Sequence, residues 1–102
     1  MPTVNEISPA QAEMLMNEKD ILLLDSRDLE SYKQGHIAGA MMAHEALIDS
    51  LLIKNDKRIP VLVYCYQGNS SKDMAKVFAG SGFIEVYSML GGYAEWKRGY
   101  AN

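Results

Sequence analysis

The sequence predicts an α/β fold, with a mainly parallel sheet and helices packed on both of its faces. Three observations carry this expectation. Two short unbroken apolar runs, "ILLLD" (Ile21 to Asp25) and "VLVYC" (Val61 to Cys65), read as strands covered on both sides. Segments with helical apolar spacing lie before, between and after them. The two patterns alternate along the chain, as crossover connections between parallel strands demand. At 102 residues, with no repeat, linker or low-complexity stretch, the chain is expected to form one domain over 1–102.

The elements follow in order. Ser8 and Pro9 suit an N-cap and first turn, and Ala10, Met14 and Leu15 then fall at helical spacing. The strand Ile21 to Asp25 comes next. A short helix is expected from near Asp28, stopping at Gly35, with a turn around Gly39. "MMAHEALIDSLLIKND" (Met41 to Asp56) reads as a brief strand followed by a helix. Pro60 introduces "VLVYC", a valine-rich buried strand. In "SKDMAKVFAGSG", Met74, Val77 and Phe78 share a helical face that ends at Gly80 or Gly82. "IEVYSM" is a further strand, and "GGYAEWKRGYAN" closes the chain with a helical turn or two.

Composition excludes several classes. Hydrophobic residues make up 48% and charged residues 23%, values of an ordinary globular chain. A net charge of −3 argues against nucleic-acid or polybasic membrane binding. The single cysteine excludes an internal disulfide, a Cys-x-x-Cys redox pair and a thiolate zinc cluster. No secretory signal opens the chain, and no apolar stretch nears the ~18 residues of a membrane span, so a cytoplasmic location is expected.

That cysteine, Cys65, ends the clearest strand, where open α/β sheets bind their ligands. Tyr66, Gln67, Gly68, Asn69, Ser70 and Ser71 lead from it into a helix. Gly68 permits backbone angles closed to other residues, and Asn69 tolerates left-handed ones. The loop can therefore curl so that successive N–H groups converge at a helix N-terminus, a setting that favours negative charge. A thiol facing that nest would have its pKa lowered, and the same amides would hold an anion. Lys57, Arg58 and Lys72 form a local basic bias, with no acid from 57 through 72. Position alone leaves packing and chemistry open, since free cysteine often serves as a small core hydrophobe.

Four motifs resemble one family in order along the chain. "CYQGNSSK" is similar to the active-site loop of the rhodanese-like sulfurtransferases, Cys-x-x-Gly-x-Ser/Thr. "LLLDSRD" resembles that family's Asp-x-Arg strand end, "YKQGHIAGA" its Gly-His-Ile-x-Gly-Ala turn and "GGYAEW" its Gly-Gly-aromatic-x-x-Trp close. The likeness spans about Ile7 to Gly99 and is strongest to small single-domain bacterial thiosulfate sulfurtransferases. It implies a three-layer α/β/α fold with a five-stranded parallel sheet of order 3-2-4-5-1. It also implies ping-pong sulfur transfer through a Cys65 persulfide, without metal or organic cofactor. The implied partners are a small anionic sulfur donor and a thiol acceptor, either a small molecule or a thioredoxin-like protein.

The larger two-domain relatives carry Arg and Lys just after the cysteine. Here Tyr66 and Gln67 are neutral, leaving Lys72 as the loop-adjacent cation. Phosphatases that share the fold need Cys-x5-Arg, but Ser71 stands six residues after Cys65, and no arginine lies between Arg58 and Arg98. A non-enzymatic persulfide carrier would look the same in sequence. The intact cysteine argues against an inactive interaction module, and a redox sensor would need an outside thiol because the chain has no resolving cysteine.

Other residues have plainer expectations. Asp25 and Arg27 end a strand on the same rim as Cys65, either tuning the site or forming a structural ion pair or cap. Ser70 and Ser71 either donate to the sulfur or cap the next helix. His36 is expected to be packed or hydrogen-bonded, and His44 has no evident partner. The seven methionines read as core filler, and Tyr93 and Trp96 as anchors of the last helix.

Overall fold

The computed structural model describes residues 3–99. Residues 100–102 of the expected final helical segment, and residues 1–2 of the expected domain, lie outside the described residues. Ten elements alternate: β1 (Asn5–Ile7), α1 (Pro9–Glu18), β2 (Leu22–Asp25), α2 (Leu29–Gln34), β3 (Met41–Met42), α3 (Glu45–Lys54), β4 (Val61–Tyr64), α4 (Ser71–Gly80), β5 (Val86–Met89) and α5 (Gly92–Gly99). The five strands form one sheet of order β1-β5-β4-β2-β3, parallel throughout. Read from its other edge, this is the expected 3-2-4-5-1 order. Among the described residues, no helix is long and apolar enough to cross a membrane.

Alternation along each strand divides the core into two layers. Leu23, Leu62, Tyr64 and Met89 pack with Ala12 of α1 and with Tyr93 and Trp96 of α5. Leu22, Leu24, Val61, Val63 and Val86 pack with Ala75, Phe78 and Ala79 of α4 and with Leu47, Ile48 and Leu51 of α3. β2 and β4 are buried at every position, which is why they read as unbroken apolar runs. β1 is different. Its three residues carry no period, and pairing of Asn5, Glu6 and Ile7 with Tyr87, Ser88 and Met89 makes it a strand.

Local chemistry sets the helix starts. Ser8 and Gln11 form a reciprocal capping box, with Pro9 in the first turn of α1. Asp28 caps α2, accepting from the Ser31 amide at 3.2 Å and its hydroxyl at 2.7 Å. His44 does have a partner, contrary to expectation. Its Nδ1 accepts from the Leu47 amide at 3.2 Å and caps α3. His36 is held as expected, stacked on Tyr32 with ring centroids 3.8 Å apart and Nδ1 2.7 Å from the Tyr32 carbonyl.

Candidate active site

Parallel pairing sends β2, β4 and β5 to the same edge of the sheet, where their carboxyl ends gather Asp25, Cys65 and the turn before α5. Cys65 lies just past the end of β4 and is only 3% exposed, yet it lines two connected surface depressions. One is an open cleft of about 450 Å³ bordered by Arg27, Asp28, Ser31, Gln34, Tyr66 and Ser70. The other is shallower, about 200 Å³, and adds Gln67 and Asn69.

The loop from Tyr66 to Ser70 takes its shape from the turn beneath it. The Tyr93 and Ala94 amides, at the start of α5, donate to the carbonyls of Cys65 and Tyr66 at 2.8 and 3.0 Å. Those carbonyls are thereby turned toward α5, and within the loop the Gly68 amide faces the sulfur. Gly68 has φ +94°, open to glycine, and its Gly91 neighbour is so close that a Cβ would sit 3.0 Å from the Gly91 amide nitrogen. A Cβ on Gly92 would overlap the backbone of Cys65 and Tyr66.

The sulfur is well supplied with donors. The Gly68 amide donates to Cys65 Sγ at 3.0 Å. The thiol itself points to Ser71 Oγ at 3.4 Å, and on ionisation the Ser71 hydroxyl turns to donate to the thiolate. Burial raises the Cys65 pKa, but hydrogen bonds from the Ser71 and Ser70 hydroxyls and the Ser71 and Gly68 amides outweigh it and push it down to about 7. Ser70 makes no side-chain cap to α4, and its hydroxyl is among the groups that lower the Cys65 pKa.

The structure separates residues that the sequence grouped. Lys72 does not join the site. Its ammonium pairs with Glu6 at 3.0 Å and lines a different cavity with Val4, Lys76 and Ala79. Lys57 and Arg58 precede β4 and so lie at its amino end, away from Cys65. Lys57 binds the Leu52 carbonyl at 2.7 Å, and Arg58 pairs with Asp56. The local basic bias therefore never assembles around the sulfur.

Arg27 is the cation that borders the cleft, and it is already engaged. Its guanidinium bonds both carboxylate oxygens of fully buried Asp25 at 2.8 to 3.2 Å, donates to the Gly35 carbonyl and lies 4.1 Å over the Tyr93 ring. Burial opposes the Arg27 charge, and Asp25 more than compensates, raising its pKa. The pair is thus a structural bridge from β2 to α5 and the turn after α2, with one edge in the cleft. Among the described residues, no group of three His, Cys, Asp or Glu side chains comes together as a metal site.

Two contributors escaped the sequence reading. The polar wall of Asp28, Ser31 and Gln34 comes from α2, whose placement depends on tertiary packing. Ser88 on β5 lies 2.7 Å from Ser71 Oγ, and its one visible signal is a polar residue inside a buried strand.

Comparison with known proteins agrees with this geometry. The family model described as "Rhodanese-like domain" matches residues 8–99. The thiosulfate sulfurtransferase GlpE of Coxiella burnetii is 44% identical over 92 residues, covering 90% of this chain and 86% of that protein. Its namesake from Pseudoalteromonas translucida is 36% identical, covering 93% and 90%. The crystal structure of the Alr3790 protein from Anabaena sp. superposes with a TM-score of 0.80 at 25% identity, covering 94% of this chain and 79% of that one. With the family model matched over residues 8–99 and a relative 44% identical over 90% of the chain, the protein belongs to the rhodanese-like domain family.

Proposed function

We propose that the protein is a thiosulfate sulfurtransferase in which Cys65 carries the sulfur, the chain 1–102 acting as one domain in the cytoplasm. The observation that carries this reading is the Cys65 sulfur itself, at the mouth of a cleft and within hydrogen-bond reach of the Gly68 amide and the Ser71 hydroxyl. Family membership and 44% identity to a thiosulfate sulfurtransferase support it. The Cys65 thiolate attacks the outer sulfur of thiosulfate. The sulfur–sulfur bond of thiosulfate breaks, its electron pair leaves with sulfite, and a Cys65 persulfide anion remains. A thiol acceptor, or cyanide in an assay, then removes that sulfur and restores the thiolate.

The loop supplies the electrostatics of both half-reactions. Gly68 and Ser71 donors that stabilise the thiolate also stabilise the persulfide anion, whose charge moves outward by one sulfur. Tyr66, Gln67, Asn69 and Ser70 form the walls against which donor and acceptor are positioned.

Intact mass after thiosulfate treatment tests the proposal. A gain of ~32 Da, absent from Cys65→Ser and reversed by cyanide, is the expected result of covalent sulfur transfer. No gain at any thiosulfate concentration overturns thiosulfate as the donor. A gain retained in Cys65→Ser overturns the role of Cys65.

A further inference from the structure

Three polar side chains are fully buried among the described residues, Asp25, Ser71 and Ser88. Asp25 is accounted for by Arg27. The other two touch each other, Oγ to Oγ at 2.7 Å, and Ser71 in turn touches Cys65. Ser88 pairs in register with Val63, and Val61, Val63 and Val86 share its layer of the core. A hydroxyl on such a face costs stability unless it is bonded, and an apolar residue would fill the same place. Strand packing therefore does not explain this serine. Its bond to Ser71 does.

A hydroxyl has one proton to give. While Cys65 is a thiol, it donates to Ser71, whose own proton is free for Ser88. When Cys65 ionises, its proton leaves to solvent and the sulfur becomes an acceptor. Ser71 then has to donate to sulfur, so the 2.7 Å contact survives as a hydrogen bond only if Ser88 donates to Ser71. The direction of the chain reverses, and each link strengthens the next. We propose that Ser88 is a positioning residue for the Cys65 thiolate: its buried hydroxyl donates to Ser71 Oγ and so fixes the Ser71 hydroxyl toward the sulfur.

Charged groups around the site do not duplicate this role. Arg27 and Asp28 border the cleft, with Arg27 bound to Asp25 of β2 and Asp28 capping α2. On α4, Lys72 pairs with Glu6 of β1, and on α5, Glu95 pairs with Arg98.

The inference rests on Cys65 being the reacting thiolate, and its test needs no sulfur donor. The rate of Cys65 alkylation by iodoacetamide is followed against pH in the wild type, Ser88→Ala, Ser71→Ala and the double variant. Ser88→Ala is smaller than serine and fits any site that holds it. Its midpoint is expected to rise by roughly half a pH unit, with Ser88→Thr, which keeps the hydroxyl, returning toward wild type. In the Ser71→Ala background the Ser88 change is expected to add nothing, because its path to sulfur is gone. An unchanged midpoint in Ser88→Ala overturns the inference, as does an equal shift with Ser71 already removed. A protein that fails to accept sulfur from thiosulfate yet shows this pattern would refute the donor and leave Ser88 in place.

Discussion

Cys65 shows how hydrogen bonds hold a nearly buried thiol in a readily ionised state. Burial alone would make it inert, and hydrogen bonds from Ser71, Ser70 and Gly68 reverse that balance, holding its pKa at about 7, below the ordinary thiol value of ~8.5. The thiolate is the nucleophile, so reactivity must rise as pH rises through that value. Alkylation of the folded protein is expected to follow one ionisation centred near 7, whereas the unfolded chain titrates near the free value of ~8.5. A folded midpoint at or above the unfolded one would mean that desolvation wins. Much of this was legible in "CYQGNSSK", because a glycine-bearing loop before a helix implies convergent amides. Ser88 was not, since nothing at its own position reveals which side chain of α4 it meets.

At the scale of elements, the site is a loop seated on a turn. The β4–α4 connection is held by the first amides of α5, and the fit depends on Gly92 having no side chain. Gly92→Ala would drive a methyl into the Cys65 and Tyr66 backbone at a residue with φ +58°. The loop has to lift, taking the Gly68 amide from the sulfur. Stability is expected to fall by about 1–3 kcal/mol in urea unfolding, and sulfur transfer by tenfold or more. Normal transfer with lowered stability would show that the loop keeps its shape without this seat. The sequence displayed the Gly-Gly pair and the two fully buried strands, whose signals are local. It did not display β1, whose three residues are strand only through pairing, or the α2 wall of the cleft. Lys57 and Arg58 are near Cys65 in sequence, but the four residues of β4 carry the chain roughly 13 Å between them.

For the whole molecule, the question is how an acidic protein receives a dianion. The chain carries a net charge of −3, and the cation at the cleft is committed to Asp25 while Asp28, the N-cap of α2, adds a carboxylate to the wall. With extents of 33 × 26 × 23 Å, the mean charge lies on the order of 15 Å from an arriving ligand. At that distance, charges of −3 and −2 in water repel by roughly 1.5 kcal/mol before screening. Salt removes about half of this between ~0.01 M and ~0.15 M, where the Debye length falls from ~30 to ~8 Å. The second-order rate with thiosulfate is therefore expected to rise about two- to fourfold over that range. Asp28→Asn keeps a good helix cap and removes the carboxylate that lines the cleft, so it should raise the low-salt rate and flatten the salt dependence. Cyanide, a smaller monoanion, should show a weaker slope in the second half-reaction. A thiosulfate rate that fell with salt would reverse the argument, because it would require a cation steering the donor, and Arg27 would then have to act on the ligand despite its bond to Asp25.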